Sequence, residues 1–197
     1  MSTETGPALF QPHHALGPEA RDILAGYDAL LARVLKLKTK HRRDLPRDVA
    51  ELHRRLTSNR SELRGDYLTT PAMVSAYLHY FLPWNLYRLA ALLPALPLEL
   101  PDGAVVLDLG AGPLTLAQAL WISRPDLRER NLTFVCVDKV KRPLSLGLEL
   151  FNALAGRAWK VRLVHEPLHK GLARARGASL VAAANVLNEL PPARNVP

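Results

Sequence analysis

A single cysteine, Cys136, stands in the 197 residues. One thiol excludes an intramolecular disulfide and any metal site built from several cysteines. Flanked by Val135 and Val137, it reads as a small buried hydrophobe, and the composition suits a reducing compartment. The chain also lacks an uninterrupted apolar stretch. Its most apolar region, 73–100, is broken by Pro83, Pro94 and Pro97 and carries His79 and Arg88, which excludes a membrane span. The first twenty residues have neither the basic start and apolar core of a signal peptide nor the arginine of a transit peptide. The expected location is cytoplasmic.

What the chain does hold is positive charge. At 48% hydrophobic and 22% charged it has the make-up of an ordinary globular protein, yet its net charge is +8 and its pI about 10.0. Such a balance favours an anionic partner, most often RNA or DNA. The excess is concentrated in 33–64, where eleven basic residues face four acidic ones, a net of +7. Lys36, Lys38, Lys40, Arg42, Arg43, Arg54 and Arg55 are the candidate phosphate contacts; a merely solvated helical face accounts for the same charges.

Residues 1–17 form a polar leader with proline and glycine. A helical region spans 18–100. Its first helix is expected at Pro18, with Ile23, Tyr27, Leu30, Leu31, Val34 and Leu35 at helical spacing. A second is expected from Pro46, with Val49, Leu52 and Leu56 on one side. Thr70-Pro71 is a capped helix start, and Pro83 should break or kink the helical run there. Tyr80, Trp84 and Tyr87 either stack on bases or pack this region against the next; packing is the expectation.

From residue 101 the grammar becomes strand and helix in alternation. Short apolar runs at 104–107, 132–137, 161–164 and 179–184 suit parallel strands covered on both faces. Helical stretches near 114–122, 143–154 and 168–174 separate them. The expected fold is α/β, a doubly wound parallel sheet.

The first strand closes on Leu107-Asp108-Leu109-Gly110-Ala111-Gly112. A glycine turn between strand and helix lets a nucleotide-like ligand approach the backbone. A dinucleotide site calls for Gly-x-Gly-x-x-Gly, but position 115 is Thr, and Asp108 would repel pyrophosphate. A sulfonium ligand with an ammonium end and no phosphate reverses that argument. The Asp-x-Gly-x-Gly order resembles the first motif of class I methyltransferases, with Leu114 where a third glycine is common. Asp138, ending the second strand, can accept hydrogen bonds from both ribose hydroxyls of S-adenosylmethionine; the alternative is a surface acid beside Lys139. His165 and Glu166 fall where adenine-proximal residues usually lie. Asn185, ending the fourth strand, is the candidate for the junction of cofactor and substrate, followed by Asn188 and Glu189, which alternatively cap the next helix.

Several blocks extend the likeness: Ser61-Glu62-Leu63-Arg64, Tyr67-Leu68-Thr69-Thr70-Pro71, Ala76-Tyr77-Leu78, and Tyr80-Phe81-Leu82-Pro83-Trp84-Asn85-Leu86-Tyr87-Arg88-Leu89. With Ala119-Leu120-Trp121, Arg124-Pro125 and Asn185-Val186-Leu187-Asn188-Glu189-Leu190, they resemble the methyltransferase-like family associated with the small ribosomal subunit in bacteria and mitochondria. The resemblance implies a Rossmann-like class I methyltransferase sheet represented by its first four parallel strands, truncated after them and preceded by the α-helical region, so that 101–197 is a partial S-adenosylmethionine-binding domain. It implies cofactor contacts at Asp108, Gly110, Gly112 and Asp138, rRNA as partner, and a role in translation. Longer family members carry a cysteine cluster for an iron–sulfur centre; no metal is assigned here. The expected function is S-adenosylmethionine-dependent methylation directed at the small subunit. The alternative is a non-catalytic assembly factor that keeps the fold, and a nicotinamide-dependent oxidoreductase is the distant third.

Overall fold

In the computed structural model, which describes residues 16–37, 39–57, 68–184 and 186, the periodicity beginning at Pro18 is carried by two short helices. They are α1 (Pro18–Ala25) and α2 (Tyr27–Val34), which meet at Gly26. The next helix, α3 (Thr39–Thr57), starts seven residues earlier than expected and contains Pro46. A proline there forfeits one backbone hydrogen bond and crowds the preceding turn. The helix holds because Leu45, Val49, Leu52 and Leu56 pack on Met73, Ala76 and Phe81. Pro46→Ala is therefore expected to raise stability by about 1–3 kcal/mol, read from urea denaturation. An unchanged midpoint would mean that the helix already breaks at Pro46.

α4 (Pro71–Ala76) begins as expected, with the Thr70 hydroxyl accepting from the Met73 N–H at 3.3 Å. Pro83 does not end the run. A π turn over Tyr77–Phe81 leads directly into α5 (Leu82–Leu92), and the Leu82 N–H reaches back to the Tyr77 carbonyl. Widening the turn just ahead of a residue without an N–H accommodates the missing bond.

The sheet contains β1 (Val105–Leu109), β2 (Thr133–Asp138), β3 (Lys160–His165) and β4 (Leu180–Ala182), all parallel, in the order β3-β2-β1-β4. Between them run α6 (Thr115–Ser123), α7 (Lys141–Ala155) and α8 (Leu168–Leu172). The chain is thus α/β with an all-parallel sheet, compatible with a Rossmann-like fold. α1, α2, α5, α6 and α7 share one core with Val106, Phe134 and Cys136, whereas Leu107, Leu109 and Val137 face α8 and its flanks. The apolar core therefore continues without interruption across residue 100. β3 departs from expectation. As an end strand of the sheet it exposes Lys160 and Arg162 in alternation with half-buried Val161 and Leu163, and His165 at its end, so it is not covered on both faces, and its charges discourage edge pairing. β4, at the other end, is shorter than the run 179–184 and leaves Val181 exposed. Among the described residues, no helix is long and apolar enough to cross a membrane.

Candidate functional site

β2 and β4 lie on opposite sides of β1, so the strand order reverses at β1, and ligands of α/β sheets bind at the carboxyl ends of strands beside such a reversal. The glycine turn occupies that place. Gly110 and Gly112 have φ of +73° and +50°, values glycine adopts without strain. Leu114, standing where a third glycine is common, is also left-handed at φ 57° and ψ 40°, with its side chain fully buried. Two close approaches fix the turn. A Cβ at Gly110 would lie 2.5 Å from Val186 Cγ2, and one at Gly147 of α7 would lie 2.3 Å from the carbonyl carbon of Pro113. The Pro113 carbonyl also accepts from Gln118 Nε2 at 2.7 Å, and Gln118 Oε1 in turn accepts from the Tyr27 hydroxyl at 2.6 Å. Burial pushes the Tyr27 hydroxyl far above its ordinary pKa, partly offset by Gln118, so it remains a donor. Neither Gly147 nor this hydrogen-bonded chain was expected from the sequence.

The amides of the turn point inward. Gly110 and Ala111 both donate to the Val137 carbonyl, at 2.8 and 3.0 Å, and Leu114 donates to the Ala111 carbonyl at 2.9 Å. The Gly112 N–H donates to Asp138 Oδ2 at 2.9 Å. A phosphate cradle needs such groups aimed at the ligand; these four have acceptors within the protein.

The carboxylates define the charge of the site. Asp108 is 2% exposed, and among the described residues its Oδ2 has no hydrogen-bond partner. Burial, and then the nearby Asp138 carboxylate, push its pKa from the ordinary 3.8 to about 7. Beside it in register on β2, Cys136 is fully buried, and burial and Asp108 together raise its thiol well above the ordinary value. It is the small buried hydrophobe expected. Asp138 is held at the end of β2 by the Gly112 amide and by the Val140 N–H, which donates to Oδ1 at 2.9 Å. Two acids thus meet at adjacent strand ends, beside a turn whose Gly110, Ala111, Gly112 and Leu114 amides are engaged within the protein. That arrangement suits a ligand carrying positive charge.

His165 pairs in register with Asp138, and its Nε2 lies 2.7 Å from the Lys139 carbonyl. Glu166 accepts from Arg174 at 2.9 Å. Both therefore sit at the carboxyl end of the sheet with their side chains engaged in the protein. Asn185, Asn188 and Glu189 lie outside the described residues.

The basic segment forms a separate surface. Lys36, Arg42, Arg43, Arg54 and Arg55 are exposed; Lys38 and the side chain of Lys40 lie outside the described parts. Arg54 and Arg55 both grip Glu51, at 2.9 and 2.7 Å, and these hydrogen bonds, Arg55 first, hold its carboxyl below the ordinary range. Arg43 and Arg47 lie within ion-pair distance of Asp44 and Asp48. Expected as packing residues, Tyr80, Trp84 and Tyr87 instead stand in solvent. α3 covers Tyr77 and Phe81 of the same run, and the opposite face is left open.

No protein-family model matches this chain, and no curated protein matches it.

Proposed function

We propose that this chain is an S-adenosylmethionine-binding, methyltransferase-like protein that acts on the small ribosomal subunit or assists its assembly, with rRNA as partner. The reading rests on one observation above all: the buried Asp108 oxygen without a partner among the described residues, at the end of β1, beside a turn with four amides engaged within the protein. The strand order is shared with dinucleotide-binding folds, so the sheet does not discriminate between ligands, and the support comes from the turn. A pyrophosphate would face two carboxylates and find four amides of the turn already engaged. An ammonium and a sulfonium would be welcome.

In this reading Asp108 answers the positive end of the ligand and Asp138 the ribose hydroxyls. Gly110 and Gly112 let the ligand pass close to the backbone. When bound, S-adenosylmethionine supplies an electrophilic methyl group. The chain's own share is to bind and orient, with Asn185 as the proposed junction residue, and positioning supplies most of the acceleration. The exposed cations of α3 hold rRNA phosphates.

Calorimetric titration tests the ligand. S-adenosylmethionine is expected to bind at least tenfold more tightly than NAD, a difference of about 1.4 kcal/mol; the reverse order would sink the proposal and revive the oxidoreductase. A second reading, a non-catalytic assembly factor, draws support from the engaged side chains. Asp138 is held by two amides, His165 lies against a backbone carbonyl and Glu166 pairs with Arg174, which leaves none of the three poised as a base. Transfer of a labelled methyl group to small-subunit rRNA would exclude it.

A further inference from the structure

The run from Pro71 to Leu92 buries one side and leaves three rings on the other. Tyr80, Trp84 and Tyr87 are 46%, 56% and 49% exposed, and their spacing of four and three residues puts them on one helical face. Trp121 and Trp159 pack against each other and the core ring of Phe151, so Trp84 is the exposed tryptophan of the three. The ring face is continuous with α3. Tyr80 meets Phe81 edge-on at 5.1 Å, and Phe81 stacks on the exposed His53 at 6.4 Å, next to Arg54. No carboxylate occurs from Leu68 to Leu98, and Arg88 stands exposed among the rings.

Flat π surfaces, a ring-bearing stretch without acid and an adjoining cationic helix are the combination that binds single-stranded nucleic acid, with rings for base faces and cations for the backbone. We infer that Tyr80, Trp84 and Tyr87 form a stacking platform for single-stranded RNA whose phosphates run onto α3, an inference that rests on the RNA partner proposed above. The ring geometry sets the mode. Trp84 and Tyr87 have centroids 5.9 Å apart and planes tilted by 41°. A base sandwiched between parallel rings would need about 7 Å, twice the 3.4 Å rise of stacked bases. Bases therefore lie on the outer faces. A duplex, whose bases are already stacked, offers those rings little.

The test is fluorescence anisotropy of the full chain with a labelled oligoadenylate of about 12 nucleotides, within the range of single-strand site sizes. The double variant Trp84→Ala/Tyr87→Ala is expected to bind at least about tenfold more weakly, with an unchanged slope of log affinity against log salt. Arg42→Ala/Arg43→Ala is expected to flatten that slope. Trp84→Phe keeps a ring and is expected to keep most of the affinity, while losing the RNA-induced quenching of tryptophan emission expected of the parent chain. If the double alanine variant binds like the parent, or the parent holds a duplex of equal length as tightly, the platform is overturned and the RNA partner stands. If the parent binds neither, both fall.

Discussion

At about pH 8, Asp108→Asn is expected to fold more stably than the parent chain and to bind S-adenosylmethionine at least tenfold more weakly. The unfolded carboxyl titrates at its ordinary 3.8 and the folded one at about 7. Between those values the folded chain holds a proton that the unfolded chain has released, so stability falls as pH rises through that window and is level above it. The fall is on the order of 4 kcal/mol, at 1.36 kcal/mol per pH unit. Asparagine carries no such proton, although its buried amide lacks a partner and forfeits about 1–3 kcal/mol. The net gain near pH 8 is then about 1–3 kcal/mol, and near pH 4 the order reverses, because the parent carboxyl is neutral there too. Subtracting urea-denaturation profiles of the two proteins isolates this residue from all other titrations. A difference that stays constant from pH 4 to 8 would show that Asp108 is ionised throughout. The affinity loss has the same origin with the opposite sign: the uncompensated charge that burdens the fold is what a cationic ligand would answer, and hydrogen bonds to charged groups contribute about 1.5–3 kcal/mol.

The second large effect is expected at Gly147. Its φ is not left-handed, so alanine would be comfortable in the helix itself and would gain about 1 kcal/mol of helix propensity. The added Cβ, however, would fall 2.3 Å from the carbonyl carbon and 2.5 Å from the carbonyl oxygen of Pro113. Backbone does not yield as the tip of a side chain does. α7 must retreat or the glycine turn must move, and Gly147→Ala is expected to cost about 3 kcal/mol or more, at the upper end of overpacking penalties. Thermal unfolding measures that loss. Calorimetry adds a second readout, a weakened S-adenosylmethionine isotherm under conditions where the variant is still folded. A variant as stable as the parent would mean that α7 does not press on the turn.

The features legible in the sequence are those that a single stretch of chain decides by itself. The runs 104–107 and 132–137 read as strands by themselves and fall on β1 and β2, and the glycines at 110 and 112 marked the turn between strand and helix, which proves left-handed at both. Thr70-Pro71 announced a helix start. Features decided by a partner were hidden. A lone glycine in an amphipathic helix carries no message until Pro113 is found against it. α3 was placed late because proline reads as a first-turn residue, and only packing on α4 and the π turn keeps Pro46 inside a helix. Five aromatic residues between 77 and 87 gave no hint of which would be buried, because α3 takes Tyr77 and Phe81 and leaves the others. Leu114 shows the same limit from the other side. Its position was recognisable as that of a common glycine, yet only the structure reveals that the leucine accepts the left-handed backbone while filling the core.

α6 has almost no outside. Thr115, Leu116, Ala117, Gln118, Ala119, Leu120 and Ile122 are all buried, and a helix apolar all round belongs in the middle of a core rather than on its surface. Its outer cover is α1 and α5, with Tyr27 reaching in from the start of α2 to satisfy Gln118. Severing the chain near residue 100 would thus not release an autonomous nucleotide-fold module. It would expose a greasy helix and strand a buried amide in one cut, so the helices that precede the sheet act as its lining, and the two halves of this polypeptide share one folding unit.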